Sequence, residues 1–180
     1  MMIDKNLTHE RMIQALTALD HIVSTSFTLI VGGGGAMILA HQFPLSTMDV
    51  DAYPKGMELS ELDVYVKQIA DELSLPKDWL NPYFSTFAHT LPSDYGDRLI
   101  NVYEGKKIKA LALGKEDLLV MKCFAGRQKD VPHVRALLKK KTDVEFVGKH
   151  IRSLIKKRIP GAEKALEFLH EIEDWQGNQS

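Results

Sequence analysis

One segment in the first third of the chain constrains the fold most. It begins with FTLIV (Phe27–Val31), a short apolar and β-branched run that predicts a buried strand and stops at four consecutive glycines. The next residues, AMILAHQF, predict a short helix that starts at the glycine loop. MDVDAY (Met48–Tyr53) then alternates apolar and acidic residues, which predicts a second strand that Pro54 and Gly56 end. The segment therefore predicts a strand, a glycine turn, a helix and a strand in direct succession.

The rest of the chain is predicted to be helical apart from one hairpin. RLINVY and KIKALAL (Lys107–Leu113) are two strand-like runs joined by a short turn. Helical periodicity predicts helices over six segments: Thr8–Ser26, Leu59–Leu75, Lys115–Gly126, Val131–Lys140, Val144–Ile159 and Gly161–Trp175. The order predicts an α/β (α+β) fold with a small mixed sheet, a core over residues 1–114 and a helical region over 115–180 packed on that core.

Cysteine usage and hydropathy predict a cytoplasmic protein. Cys123 is the single cysteine among 180 residues, so no internal disulfide forms and a reducing compartment is expected. The N-terminal residues have no apolar core of the signal-peptide type. The most apolar stretch, Phe27–Phe43, contains four glycines and is too short to span a bilayer. We therefore expect no membrane partner.

Charge is unevenly distributed along the chain although the net charge is only −1. Residues 106–158 contain 16 Lys and Arg against 5 Asp and Glu. This balance predicts a surface that meets phosphates, either of a nucleotide or of RNA. RALLKKK and RSLIKKR lie in this segment without interleaved aromatic residues, so only contacts to an RNA backbone are predicted. Ordinary solvated helix faces are the alternative.

The glycine run permits three interpretations. A dinucleotide-binding fingerprint would need a third glycine where Met37 stands. A P-loop would need Lys and then Ser or Thr after the last glycine, where Ala36 and Met37 follow. The third interpretation also uses the acidic residues of the next strand, Asp49 and Asp51, and it accounts for the whole segment.

Asp49 and Asp51 are two residues apart in a predicted strand. Their side chains should therefore project from one face, roughly 6.5–7 Å apart. Two carboxylates in this arrangement suit divalent metal ions, and the start of a helix at Gly33 and Gly34 suits phosphates. The pattern predicts a nucleoside triphosphate bound with Mg²⁺ or Mn²⁺. Solvated acids and a glycine turn required only for packing are the alternatives.

The same residues carry a family resemblance. A Gly-Gly pair, a short helix and Thr-x-Asp-φ-Asp, where φ is apolar, resemble the polymerase-β-like nucleotidyltransferase superfamily. Three blocks occur in order: GGGGAMILAHQFPLSTMDVD, LPKDWLN and KEDLLVMKCFAGRQKDVPHVRALL. Together they are similar to a bacterial family of nucleotidyltransferase-like proteins akin to the AbiEii abortive-infection toxins. The resemblance covers about residues 28–138.

The resemblance implies a role for each matching residue. Gly33 and Gly34 would hold the phosphates, Asp49 and Asp51 the metal ions, and Thr47 would lie beside them. The helical motif MK-x-x-A-x-R-x-x-D would contribute three more residues to the same pocket: Lys122, Arg127 and Asp130. A cation there has a physical purpose, because metal ions offset only part of a triphosphate's charge.

A third carboxylate is usual in active members of the superfamily. The strand RLINVY is the expected place for it, and Asp97 at its edge is the candidate, since the strand itself offers only Asn101. Relatives also commonly carry an arginine where Leu45 stands. The resemblance thus implies magnesium-dependent transfer of NMP from an NTP to a hydroxyl on RNA or protein. A toxin–antitoxin or phage-defence setting would add an antitoxin-type protein partner. The alternative is a catalytically inactive nucleotide- or RNA-binding module on the same scaffold.

Overall fold

The computed structural model describes residues 6–43 and 46–178, which form two compact units. Of the described residues, the first unit takes those within Met1–Thr86 and Leu99–Leu113, and the second takes those within Phe87–Arg98 and Gly114–Ser180. The segment 87–98 thus belongs to the helical unit, although it precedes the predicted boundary at residue 114. The predicted mixed α/β class is confirmed.

The first unit contains a five-stranded mixed sheet. Its strands are β1 (Phe27–Val31), β2 (Val50–Lys55), β3 (Leu80–Asn81), β4 (Ile100–Glu104) and β5 (Ile108–Ala112). They lie in the order β3-β2-β1-β5-β4, so the apolar β1 is central. β1 pairs antiparallel with β2 and parallel with β5, whereas β2 and β3 are parallel. β4 and β5 form the predicted antiparallel hairpin.

Among its described residues, the first unit also contains three α-helices: α1 (His9–Ile22), α2 (Gly33–His41) and α3 (Leu59–Leu73). Thr8 caps α1, since its hydroxyl oxygen accepts a hydrogen bond from the Arg11 backbone N–H at 3.3 Å. Trp79 is fully buried and donates its indole N–H to the Val66 carbonyl of α3 at 2.9 Å. This bond fixes the short chain segment that leads into β3.

The boundaries around the glycine run differ from those predicted. α2 begins at Gly33, so the glycines form the first helical turn rather than a loop before the helix. β2 continues through Pro54 to Lys55, and the expectation that Pro54 ends it was wrong. Proline lacks an N–H, but β3 pairs only with the first two residues of β2. Pro54 therefore pairs with Leu29 of β1. On the opposite edge of β2 no described strand lies beside Pro54, so its missing N–H breaks no hydrogen bond there.

The second unit is helical, as predicted. It contains α4 (Lys115–Ala125), α5 (Val131–Lys139), α6 (Val144–Lys156) and α7 (Ala162–Gly177). Short 3₁₀ helices of this unit cover Tyr95–Arg98 and Gln128–Asp130, and a further one, Tyr83–Thr90, begins within the first unit's residues. Arg98 donates two hydrogen bonds to Asp117 of α4, whose side chain is fully buried, at 2.9 and 2.8 Å. This bidentate pair anchors the segment 95–98 on α4.

Within the described ranges, no helix is both long enough and apolar enough to cross a membrane.

Asp20 stabilises the turn of the β4–β5 hairpin. Its side chain, 6% exposed, accepts hydrogen bonds from the backbone N–H groups of Lys106, Lys107 and Ile108 at 3.0, 2.8 and 2.7 Å. A Cβ on Gly105 would lie 2.4 Å from Asp20 Oδ1, so only glycine fits beside it. Burial alone would raise the pKa of Asp20, but the three N–H donors outweigh burial and lower it.

We expect Asp20→Asn to lower the free energy of unfolding by about 1–3 kcal/mol at pH 7, because an amide group would face one of the three N–H donors. The folded-state pKa is lowered, so the carboxylate's contribution is complete above the ordinary pKa of about 3.9. It is lost as the pH falls through the lowered value. Urea unfolding at several pH values should show the difference from wild type shrinking toward pH 3. Asp71→Asn, at an exposed position of α3, is the control, and equal losses in both variants would contradict the assignment.

Candidate functional site

The first turn of α2 lies directly against the residues that precede and begin β2. Gly33 has φ +53°, and a Cβ there would lie 2.6 Å from Asp51 Oδ2. A Cβ on Gly34 would lie 2.8 Å from Thr47 Oγ1. The Gly32 N–H donates to the Asp51 carbonyl at 2.7 Å. The glycines therefore allow a carboxylate and a hydroxyl to approach the helix backbone, and side chains there would exclude both.

Thr47 is held in place by the N-terminal segment. Leu7, which is fully buried, and Thr47 exchange two backbone hydrogen bonds of 2.7 and 3.1 Å. Asp49 follows two residues later and lies just before β2, which begins at Val50. The Val50 N–H in turn donates to the Trp79 carbonyl at 2.6 Å. Asp49 is thus placed by backbone contacts on both sides of it.

Asn81 contacts the aspartate pair, and the sequence analysis did not identify it. It is the β3 partner of Asp51 in the parallel β2–β3 register. Its Nδ2 donates a hydrogen bond to Asp49 Oδ2 at 2.7 Å. Asp49 and Asp51 therefore both adjoin Asn81, Asp49 through a side-chain hydrogen bond and Asp51 through strand pairing. The sequence signal was the block LPKDWLN, which ends on this residue.

The strand RLINVY was expected to supply a third carboxylate, but β3 is the strand that lies beside the aspartates. β4, which contains most of RLINVY, lies at the opposite edge of the sheet from β3. Its Asn101 donates instead to Glu104 Oε2 at 2.7 Å. The physical reason is the hairpin, because β4 pairs with β5 and only β5 reaches the central strand. Asp97 lies in the 3₁₀ helix Tyr95–Arg98 of the second unit, and its catalytic role stays a prediction.

The donor set of this site suits one divalent cation. Asp49 and Asp51 offer the carboxylate oxygens that Mg²⁺ and Mn²⁺ prefer. Over the described residues, no group of three or more His, Cys, Asp and Glu is placed to hold a metal. The first N–H groups of a helix have no partner within it, so the start of α2 suits phosphate oxygens. Within the described part of the chain, the residues fit one metal-bound phosphate group and no third acid is placed beside them for a second ion.

The predicted helical motif forms a cluster within the second unit. Lys122 Nζ donates to Asp130 Oδ1 at 2.7 Å, and Arg127 Nε donates to Asp130 Oδ2 at 2.6 Å. Lys122 and Asp130 are 5% and 1% exposed. Burial opposes ionisation of Asp130, but the hydrogen bonds from Arg127 and Lys122 outweigh it and hold the pKa below its ordinary value. The three motif residues therefore bind one another as ions.

His133 belongs to the same cluster. Burial, together with the nearby charge of Lys122, lowers the pKa of His133 to about 4, so the imidazole is neutral at pH 7. The Lys122 charge is compensated by Asp130, whereas the Arg127 side chain is 41% exposed. That Lys122, Arg127 and Asp130 bind the nucleotide stays a prediction.

A mixed sheet with a glycine turn and an aspartate pair on adjacent elements is an arrangement typical of nucleotidyltransferases. The chain belongs to the family described as "Nucleotidyltransferase of unknown function (DUF6036)", which its sequence matches over residues 9–175. Neither a curated protein nor a solved structure gives a significant match. The predicted membership of a nucleotidyltransferase family is confirmed, and the closer relation to AbiEii toxins stays a prediction.

Proposed function

We propose that this protein transfers a nucleoside monophosphate from an NTP to an acceptor hydroxyl, with Mg²⁺ or Mn²⁺ held by Asp49 and Asp51. The observation that carries the proposal is the contact between the glycine turn and the aspartate segment. Asp51 lies against Gly33 and Thr47 lies against Gly34. A phosphate group at the start of α2 would therefore also lie beside the carboxylates.

The start of α2 supplies the phosphate side of the proposed site. Its N–H groups and the positive end of the helix dipole would bind the β- and γ-phosphates of the NTP. The missing side chains at Gly33 and Gly34 allow Asp51 and Thr47 to lie against the backbone that would bind the phosphates. A bound divalent cation supplies charge neutralisation and orients the triphosphate.

The proposed reaction joins the acceptor to the α-phosphorus. The hydroxyl oxygen attacks in line, the bond from the α-phosphorus to the bridging oxygen of the β-phosphate breaks, and pyrophosphate leaves. The hydroxyl proton passes to solvent. The protein contributes positioning and charge stabilisation, for which rigid backbone contacts such as those at Gly32, Thr47 and Val50 are suited.

The second candidate function is nucleotide binding without transfer. Asn81 favours it, because the residue beside Asp51 on the neighbouring strand carries an amide rather than a third carboxylate. Leu45, which stands where relatives commonly carry an arginine, also favours binding without transfer, but this residue lies outside the described ranges. Incubation with α-labelled NTPs, Mg²⁺ or Mn²⁺ and bulk RNA separates the two functions. Label on the acceptor supports transfer, whereas nucleotide binding without label supports the second candidate.

RNA is the proposed acceptor, and a groove in the second unit supports it. The groove has a volume of about 560 Å³ and is lined partly by Lys149, Ser153 and Lys157, which are four residues apart and so share one face of α6 and its C-terminal cap. His150 also lines it and bonds to the Thr90 carbonyl at 2.7 Å. Lys149 and Lys157 are eight residues apart, about 12 Å along the helix, so they suit two phosphates of one strand that are not adjacent. A protein acceptor, an antitoxin-type partner and a defence role remain proposals that rest on the family resemblance.

We expect the double variant Lys149→Gln/Lys157→Gln to bind single-stranded RNA more weakly and with less salt dependence. Each phosphate contact contributes about 0.7 to the slope of log K against log salt, so the slope should fall by about 1.4. Fluorescence anisotropy with a labelled oligoribonucleotide at several salt concentrations measures it. Lys77→Gln/Lys164→Gln removes the same charge from exposed positions outside the groove. An equal change of slope in both double variants would refute the groove as the RNA site.

A further inference from the structure

Asn81 has a fixed orientation beside the two aspartates. Its Nδ2 donates to Asp49 Oδ2 at 2.7 Å, and its Oδ1 accepts from the Tyr83 backbone N–H at 3.1 Å. Rotating the amide by 180° would place its NH₂ group against the Tyr83 N–H and its oxygen against the Asp49 carboxylate. Both contacts would become repulsive, so the two neighbours specify which end of the amide faces Asp49.

This orientation turns the coordinating atom of Asn81 away from Asp49. An amide coordinates a cation through its oxygen, and here the oxygen faces the Tyr83 N–H whereas Nδ2 faces the Asp49 carboxylate. The Nδ2 hydrogens carry partial positive charge; Nδ2 donates to the Asp49 carboxylate at 2.7 Å and also to the Asp78 carbonyl at 3.5 Å. A second cation between Asp49 and β3 would meet these hydrogens rather than a carboxylate. Asp49 and Asp51 together offer two negative charges, which match one divalent ion.

We propose that Asn81 is a positioning residue that orients Asp49 and limits the Asp49–Asp51 site to a single divalent cation. The inference deepens the proposed function and rests on its metal dependence. A hydrogen bond from outside the ligand set fixes the rotamer of a coordinating carboxylate, and losing such a partner typically weakens metal binding about 10–100-fold. Asn81→Asp, in contrast, would place a third carboxylate next to Asp51 and create a second cation site.

Titration of the full chain with Mn²⁺, followed by electron paramagnetic resonance of the free ion, tests both parts. Wild type should bind one Mn²⁺ that Asp49→Asn removes. Asn81→Asp should bind two, and Asn81→Ala should bind one with a dissociation constant about 10–100-fold higher. Asn101→Ala is the matched control for Asn81→Ala, because Asn101 also donates Nδ2 to a carboxylate at 2.7 Å but lies on β4 at the opposite edge of the sheet. It should behave as wild type.

The thermal midpoint gives a second readout that also reports folding. Asn81→Asp keeps an acceptor for the Tyr83 N–H but adds like charge beside Asp49, so it should gain more thermal stability from Mn²⁺ than wild type does. This variant decides the question if Asn81→Ala does not fold. The single-cation inference would be overturned if wild type bound two Mn²⁺ ions and Asp49→Asn lost both. It would also be overturned if Asn81→Asp bound only one Mn²⁺ ion.

The titration also separates this inference from the proposed reaction. Unchanged Mn²⁺ affinity in a folded Asn81→Ala variant would overturn the positioning role while leaving NMP transfer intact. If the Mn²⁺ titrations give the expected results but wild type transfers no label, the inference about Asn81 is supported and the proposed NMP transfer is overturned. Wild type without any Mn²⁺ binding would overturn the inference and the metal dependence together.

Discussion

Asp49→Asn should reduce the rate of nucleotide transfer by at least about a hundredfold while the protein stays folded. Asparagine keeps the shape of the side chain. Its amide oxygen can still accept the hydrogen bond that Asn81 Nδ2 donates to Asp49 at 2.7 Å. The change removes one of two negative charges, and no third acid on β3 can replace it. The loss should therefore appear in catalysis and metal binding rather than in stability.

Initial rates with α-labelled NTP, Mg²⁺ and RNA measure this effect, and circular dichroism checks the fold. Asp63→Asn is the control, because Asp63 lies exposed on α3 and loses the same charge. The control should retain the wild-type rate. Equal transfer by wild type and Asp49→Asn would place the reaction elsewhere. If neither transfers label but wild type binds the nucleotide, the protein is a binding module.

The strand, glycine turn and helix could be predicted because their signals are local. FTLIV is an uninterrupted apolar run, and β1 has the predicted bounds Phe27–Val31. The strand repeat predicted that Asp49 and Asp51 share one face, but Asp49 lies just before β2, which begins at Val50. The glycine run predicted a turn before the helix, whereas the glycines form the first turn of α2 itself. Its close contacts, such as Gly33 with Asp51, depend on how α2 packs against the residues before β2 and have no sequence signature.

Asn81 could not be predicted because its neighbourhood is non-local. β3 contains only two residues, too few for a periodic pattern. Its pairing with β2 depends on Trp79, whose burial and indole hydrogen bond to Val66 fix the chain just before the strand. The position of a third carboxylate could not be predicted for the same reason, because it depends on which strands are neighbours in the sheet. The order of strands along the chain suggested β4, whereas β3 lies beside β2 in the sheet.

The pairing of Lys122 with Asp130 also depends on a local reversal of the chain. Gly126, with φ +58°, ends α4, and the 3₁₀ turn Gln128–Asp130 brings the carboxylate back to the helix. In sequence these residues are eight apart, and spacing alone does not reveal a contact. The motif was recognised from the sequence, but its buried ion pair was not.

Asp130→Asn should destabilise the second unit by about 3–5 kcal/mol, because it leaves the buried Lys122 ammonium without a counter-charge. Lys122 is only 5% exposed, so water cannot replace the carboxylate. Arg127 loses its partner as well, but its side chain is 41% exposed and can turn toward solvent. Urea unfolding at pH 7, followed by circular dichroism, measures the loss. Asp174→Asn at an exposed site on α7 is the control and should have little effect.

A double-mutant cycle separates the buried ion pair from other effects of the substitution. Lys122→Met alone leaves the Asp130 carboxylate with Arg127 as its counter-ion, so its cost should be smaller than that of Asp130→Asn. Lys122→Met/Asp130→Asn contains no buried charge at either position and should recover most of the stability lost in Asp130→Asn. If the two losses simply add, Lys122 and Asp130 contribute independently. The cluster would then not be held by their charge pairing, despite the 2.7 Å contact between Nζ and Oδ1.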